Sequence, residues 1–158
     1  MLFQNLSSQI LSDFPAVDLK KTDGSAINSS LIFTGGHPVI LCFWATWCKP
    51  CVMELSAYAE NYDEWQKQTG VKIIAVSVDD SRSMSRVGSF VSGKGWDFEV
   101  YCDPNGDFKR RMNVVNVPHT FLISASRKIV YQHTAYASGD EYEIFEEIKK
   151  MVDNKSND

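Results

Sequence analysis

Two apolar runs, residues 39–44 and 71–78, bracket a segment with helical spacing, and this pattern constrains the chain more than any other. The first run is rich in β-forming apolar residues and the second in Val and Ile, as expected of strands buried on both faces. Between them, Val52, Leu55, Tyr58, Ala59, Tyr62 and Trp65 recur at three- and four-residue steps. That spacing predicts an amphipathic helix over about 48–68, which Gly70 is placed to end. Strand, helix and strand in this order make a βαβ unit, and its two strands must lie parallel.

The remaining chain adds elements to that unit. Residues 14–27 alternate apolar and polar positions around Thr22-Asp23-Gly24-Ser25, which predicts an N-terminal β-hairpin. Residues 81–91 read as a helix closed by Gly93 and Gly95. Residues 98–102 read as a strand ending in the turn Asp103-Pro104-Asn105-Gly106, with a short helix over 107–112. Residues 119–124 and 128–134 form a second expected hairpin. A last helix over 140–152 presents Ile144, Phe145, Ile148, Met151 and Val152 on one face. The expected fold is α/β: one domain over 1–158, its core about 14–153, with a mixed sheet covered by helices on both faces.

Composition narrows the partners. The net charge is −4, and the one basic run, Lys109-Arg110-Arg111, reads as a solvated helix face, so nucleic acid is not an expected partner. The longest apolar run, residues 38–45, is far short of the ~20 residues needed to span a bilayer. The first residues, Met1-Leu2-Phe3-Gln4-Asn5, lack a basic region and a long apolar stretch, so no signal peptide is read there. Composition leaves a cytoplasmic chain and an exported chain without its leader equally open.

Four cysteines are too few for a disulfide scaffold of this length. Cys48 and Cys51 form a Cys-x-x-Cys pair where a buried strand passes into a helix. There the unpaired N–H groups and the dipole stabilise a thiolate on Cys48, with Lys49 contributing weakly. Pro50 suits the first helical turn, where its missing N–H has no partner to lose. Cys51 follows one turn later, within reach of a disulfide. A zinc site is disfavoured, because no second pair exists and His37, His119 and His133 stand apart in sequence. No metal or cofactor is implied.

The segment Phe43-Trp44-Ala45-Thr46-Trp47-Cys48-Lys49-Pro50-Cys51 resembles the active-site segment of thioredoxins. Together with Val117-Pro118-His119-Thr120-Phe121-Leu122-Ile123, it is similar to the TlpA/ResA-like branch of that superfamily. The resemblance implies a thioredoxin fold carrying the N-terminal hairpin and a central inserted segment, residues 80–103. It further implies that Cys48 is the exposed attacking thiol, Cys51 the buried resolving thiol, and Pro118 a cis residue facing them. A cis Pro118 would turn the Val117 backbone toward a bound polypeptide, and Trp47, Pro50 and Val117 are expected to form an apolar lip. Thioredoxins carry a buried aspartate where this chain has Cys42, so the proton acceptor must lie elsewhere. Glu54, one turn after Cys51 and acidic in ResA-like proteins, is read as that acceptor rather than as a solvent-facing helix residue.

Cys42 is expected to be a buried small hydrophobe and Cys102, at a strand end, to be more exposed; a bond between them is disfavoured. His119 replaces the threonine frequent after this proline and is read as a surface or packing residue. The resemblance implies disulfide exchange with protein thiols, in the reducing direction, served by an upstream redox partner that can be membrane-bound. It also implies a periplasmic or other extracytoplasmic location. One rival is a thiol peroxidase, since residues 71–79 resemble a peroxiredoxin strand; another is a redox-inactive binding module on the same fold.

Overall fold

Strand β3 (Val39–Trp44) is an interior strand of the sheet, and all six of its side chains are buried. Its alternation sorts them by face: Ile40, Cys42 and Trp44 enter one core, and Val39, Leu41 and Phe43 enter the other. The computed structural model describes residues 15–155, so Phe14 and the chain start considered above lie outside the described residues.

The other elements follow in chain order. Strands β1 (Asp18–Lys21) and β2 (Ala26–Asn28) precede β3; α1 (Lys49–Thr69) and β4 (Lys72–Ser77) follow it. Next come α2 (Val87–Lys94), β5 (Glu99–Cys102), α3 (Asp107–Arg111), β6 (His119–Ile123), β7 (Ile129–Thr134) and α4 (Asp140–Lys155). The seven strands lie in the order β2-β1-β5-β4-β3-β6-β7. Strands β3, β4 and β5 run parallel, while β6 and β7 on one side and β1 and β2 on the other are antiparallel to their neighbours.

Helices cover both faces, as the sequence predicts. On one face α1 and α4 pack through Leu55, Tyr58, Ile144 and Ile148, with Trp65 stacked on Phe145 at 5.1 Å. Helix α2 joins them, placing Phe90 against Trp44 and Trp96. The second face is closed by α3, whose buried Phe108 meets Phe43 at 5.3 Å and Phe33 at 5.9 Å.

The helix expected over 81–91 starts later. The Asp80 carboxylate accepts the Arg82 and Ser83 backbone N–H groups, and its carbonyl accepts from Ser83 and Met84. These bonds hold a turn where a helix would begin, followed by a 3-10 turn over Met84–Arg86. Gly93 therefore lies inside α2, and only Gly95, at φ 68°, ends it.

Candidate active site

The residues between β3 and α1 are fixed from below by a buried carboxylate. Asp79, just beyond β4, accepts Thr46 N at 2.9 Å and Thr46 Oγ1 at 2.5 Å, and takes a further 2.5 Å bond from Ser77 Oγ. Burial alone would raise its pKa, but the hydrogen bonds from Ser77 and Thr46 outweigh that and hold it below the ordinary 3.8. The anchored loop then closes on itself, with Cys48 N donating to the Ala45 carbonyl at 3.1 Å.

Cys48 is the N-cap of α1. Its backbone is extended (φ −100°, ψ 102°), and its Sγ accepts the Cys51 backbone N–H at 3.3 Å. Pro50 falls in the first turn, and Cys51 lies opposite Cys48 in a disulfide with a Cα separation of 5.3 Å. Cys48 retains 6% exposure and Cys51 none, so in the disulfide form even the outer sulfur shows only a sliver of surface.

Beside the disulfide, the Val117–Pro118 peptide is cis, Pro118 is buried and Val117 half-buried. A groove of about 520 Å³ is lined by Pro50, Val115, Val117, Pro118, Thr134 and Tyr136 among others. Pro50, Val117 and Pro118 thus share one groove; Trp47, 67% exposed, stands outside its lining. A slightly larger cavity, about 550 Å³, involves Pro38 and Gly70 at the opposite end of β3; neither cysteine lines either space, and only the 520 Å³ groove includes Pro50, which lies between them in the chain.

Glu54 is fully buried, on the face of α1 turned toward the sheet. Beneath it, Cys42, Thr120 and His133 form a row across three strands: Cys42 pairs with Thr120, and Thr120 with His133. Glu54 Oε1 accepts from the Thr120 hydroxyl and from Cys42 Sγ (3.4 Å), while Oε2 lies 3.2 Å from His133 Nε2. Polar partners on both oxygens offset the cost of burying the carboxylate. Burial, reinforced by the nearby Glu54 charge, pushes the Cys42 thiol well up. The His133 imidazole, despite its own burial, is raised above 6.5 by its bond to Glu54.

His133 is the site residue that sequence reading passed over: 79 positions separate it from Glu54. Only the β6–β7 register could have revealed it. His119 packs instead on the opposite face, stacked on Phe121 at 4.4 Å and 2.9 Å from Gln132 Oε1. Cys102 corrects its expectation of exposure. Pairing of β5 with both β4 and β1 encloses it, and burial with the Asp79 charge pushes its thiol up to about 11. Cys42 and Cys102 are both free thiols.

Comparison with known proteins places this geometry in context. The AhpC/TSA family model matches residues 10–132. The thiol-disulfide oxidoreductase ResA of Bacillus subtilis is 36% identical over 119 residues, covering 75% of this chain and 64% of that protein. The chain therefore spans somewhat under two thirds of that relative's length. Sporulation thiol-disulfide oxidoreductase A of Bacillus subtilis is 30% identical over 117 residues, covering 73% of this chain and 68% of its own length. A thioredoxin-like protein of Porphyromonas gingivalis, solved in solution, superposes with a TM-score of 0.79 at 42% identity over 90% of this chain and 94% of its own. Motif, fold and relatives agree, and the chain belongs to the AhpC/TSA family, in its ResA-like thioredoxin-fold branch.

Proposed function

We propose that the chain, working as one thioredoxin-like domain over 1–158, exchanges disulfides with protein thiols through Cys48 and Cys51, in the reducing direction. The observation that carries this reading is the Cys48 sulfur. It caps α1, accepts the Cys51 N–H, and is the more exposed of the bonded pair. A charge left on Cys48 Sγ after reduction meets the helix N-terminus and that donor, so the thiolate is favoured.

In the forward step, the Cys48 thiolate attacks a substrate disulfide, forming a mixed disulfide and releasing one substrate thiolate. Cys51 loses its proton to Glu54 and attacks Cys48 Sγ; the Cys48–Cys51 bond forms as the bond to substrate breaks. The substrate gains two electrons and the dithiol loses them. Pro50, Val117 and Pro118 line the groove where a substrate segment docks, with the Val117 backbone offered for strand-like pairing; Trp47, exposed and outside that lining, is proposed as a further apolar contact for substrate. An upstream dithiol donor, which can be membrane-bound, must return the pair to its reduced form. Among the described residues no helix is long and apolar enough to cross a membrane. Similarity to ResA supports an extracytoplasmic setting.

The test uses trapping. Cys51→Ala should accumulate a mixed disulfide at Cys48 with a disulfide-bonded peptide, seen by mass and reversed by dithiothreitol, and Cys48→Ala should accumulate none. Absence of any adduct on Cys51→Ala would leave only a binding module. Fast peroxide turnover without disulfide exchange would favour the peroxidase instead. A dithiol potential near −270 mV, roughly that of thioredoxin, supports reduction, whereas one near −120 mV would reverse the direction.

A further inference from the structure

We propose that His133 is a positioning residue that acts through Glu54, relaying protons between the buried carboxyl and solvent during resolution and re-reduction of the Cys48–Cys51 pair. This rests on the reading of Glu54 as the acceptor for the Cys51 proton. Glu54 has no exposure, so a proton taken from Cys51 cannot pass directly to water. Of the groups touching its oxygens, Thr120 and Cys42 are fully buried. The His133 side chain is 17% exposed, on the edge strand β7, and joins Oε2 to the surface. Among the described residues Nδ1 has no protein hydrogen-bond partner, which leaves it available to water.

The 3.2 Å contact serves both protonation states, as N–H donating to carboxylate or as carboxylic O–H donating to the imidazole. After Cys51 attacks, the Glu54 carboxyl gives its proton to the Nε2 lone pair, and the imidazolium releases a proton to water from Nδ1. Re-reduction runs the reverse way: Nδ1 takes a proton from water, Nε2–H returns one to Glu54, and Glu54 reprotonates Cys51. The ring is thereby reset once per cycle. The groups facing His133 are Glu54 from α1, Thr120 from β6, Tyr131 on its own strand, and Asp140 and Glu143 from α4, while Cys42 and Tyr58 face the Glu54 end of the pair. Burial disfavours the imidazolium, but Glu54, Asp140 and Glu143 favour it and raise the His133 pKa above the ordinary 6.5.

The experiment follows single-turnover resolution of a Cys48 mixed disulfide from pH 5 to 9 in the full chain, alongside NMR titration of the His133 ring. His133→Gln keeps a donor to Glu54 but cannot relay. It should lose the pH limb that tracks the ring, slow resolution on the order of a hundredfold at neutral pH, and recover with added imidazole. His133→Asn is the second variant, should the first fold poorly. Glu54→Gln should be slow without rescue, and the double variant no slower than Glu54→Gln alone. A wild-type profile for His133→Gln beside a slow Glu54→Gln would overturn the relay and keep Glu54 as the acceptor. Slowing without imidazole rescue, and with the pH limb intact, would reduce His133 to a structural contact and overturn the relay. A wild-type rate for Glu54→Gln would remove Glu54 from the mechanism, and the relay with it.

Discussion

Two ionisable residues, the buried Asp79 and the half-buried His133, carry opposite pH dependences. Asp79 is held below 3.8 by its hydrogen bonds, so its stabilising contribution is present above that value and lost as pH falls through its folded pKa. Asp79→Asn, which sets an NH₂ against donors, should cost about 1–3 kcal/mol at neutral pH. Urea titrations in a pH series should show that cost shrinking below the ordinary carboxylate range. His133 has the opposite sign. Its folded pKa is raised above 6.5, so its contribution is full below that value and lost as pH rises through the folded pKa. The stability gap between wild type and His133→Gln should therefore narrow on going from pH 6 to pH 9; a gap that widens would contradict the Glu54 contact.

Among the elements, α1 was the most legible and the most consequential. Its apolar spacing, its N-terminal Cys-x-x-Cys and its Gly70 stop are all local signals, and the helix runs Lys49–Thr69 with Gly70 at φ 73°. Nothing lies within 4 Å of a Cβ added at Gly70, so the strain of a left-handed backbone is the whole effect. Gly70→Ala should lower stability by about 1 kcal/mol in thermal melts, with disulfide exchange unchanged because the cysteines sit at the other end of the helix. Helix α2 was less legible. A helix was readable there, but the Asp80 turn that delays its start is a side-chain-to-backbone choice that apolar spacing does not encode.

At the scale of the molecule, the sheet separates a chemical face from a structural one. The face under α1 and α4 carries Cys42, Thr120, His133 and Glu54; the other is packed with Phe33, Phe43, Phe108 and Phe121. Phe108→Ala should cost about 3–5 kcal/mol in denaturant unfolding, because α3 covers that second face largely through this ring. At temperatures where the variant stays folded, its Cys48 should react as in wild type, since the cavity opens away from the disulfide.

The sequence by itself determined the βαβ unit, the strand and helix alternation, and the placement of Cys48 and Cys51 at a helix start. Each of these is written within one turn or one strand, where spacing and local dipoles decide the outcome. The tertiary structure alone decided that Glu54 is buried, that Cys102 is enclosed, and that His133 meets Glu54. Those outcomes depend on which strands lie side by side and in what register. A one-residue slip of β7 would turn His133 to the other face, and which residue of β6 it meets is set by the pairing of the two strands and the turn between them.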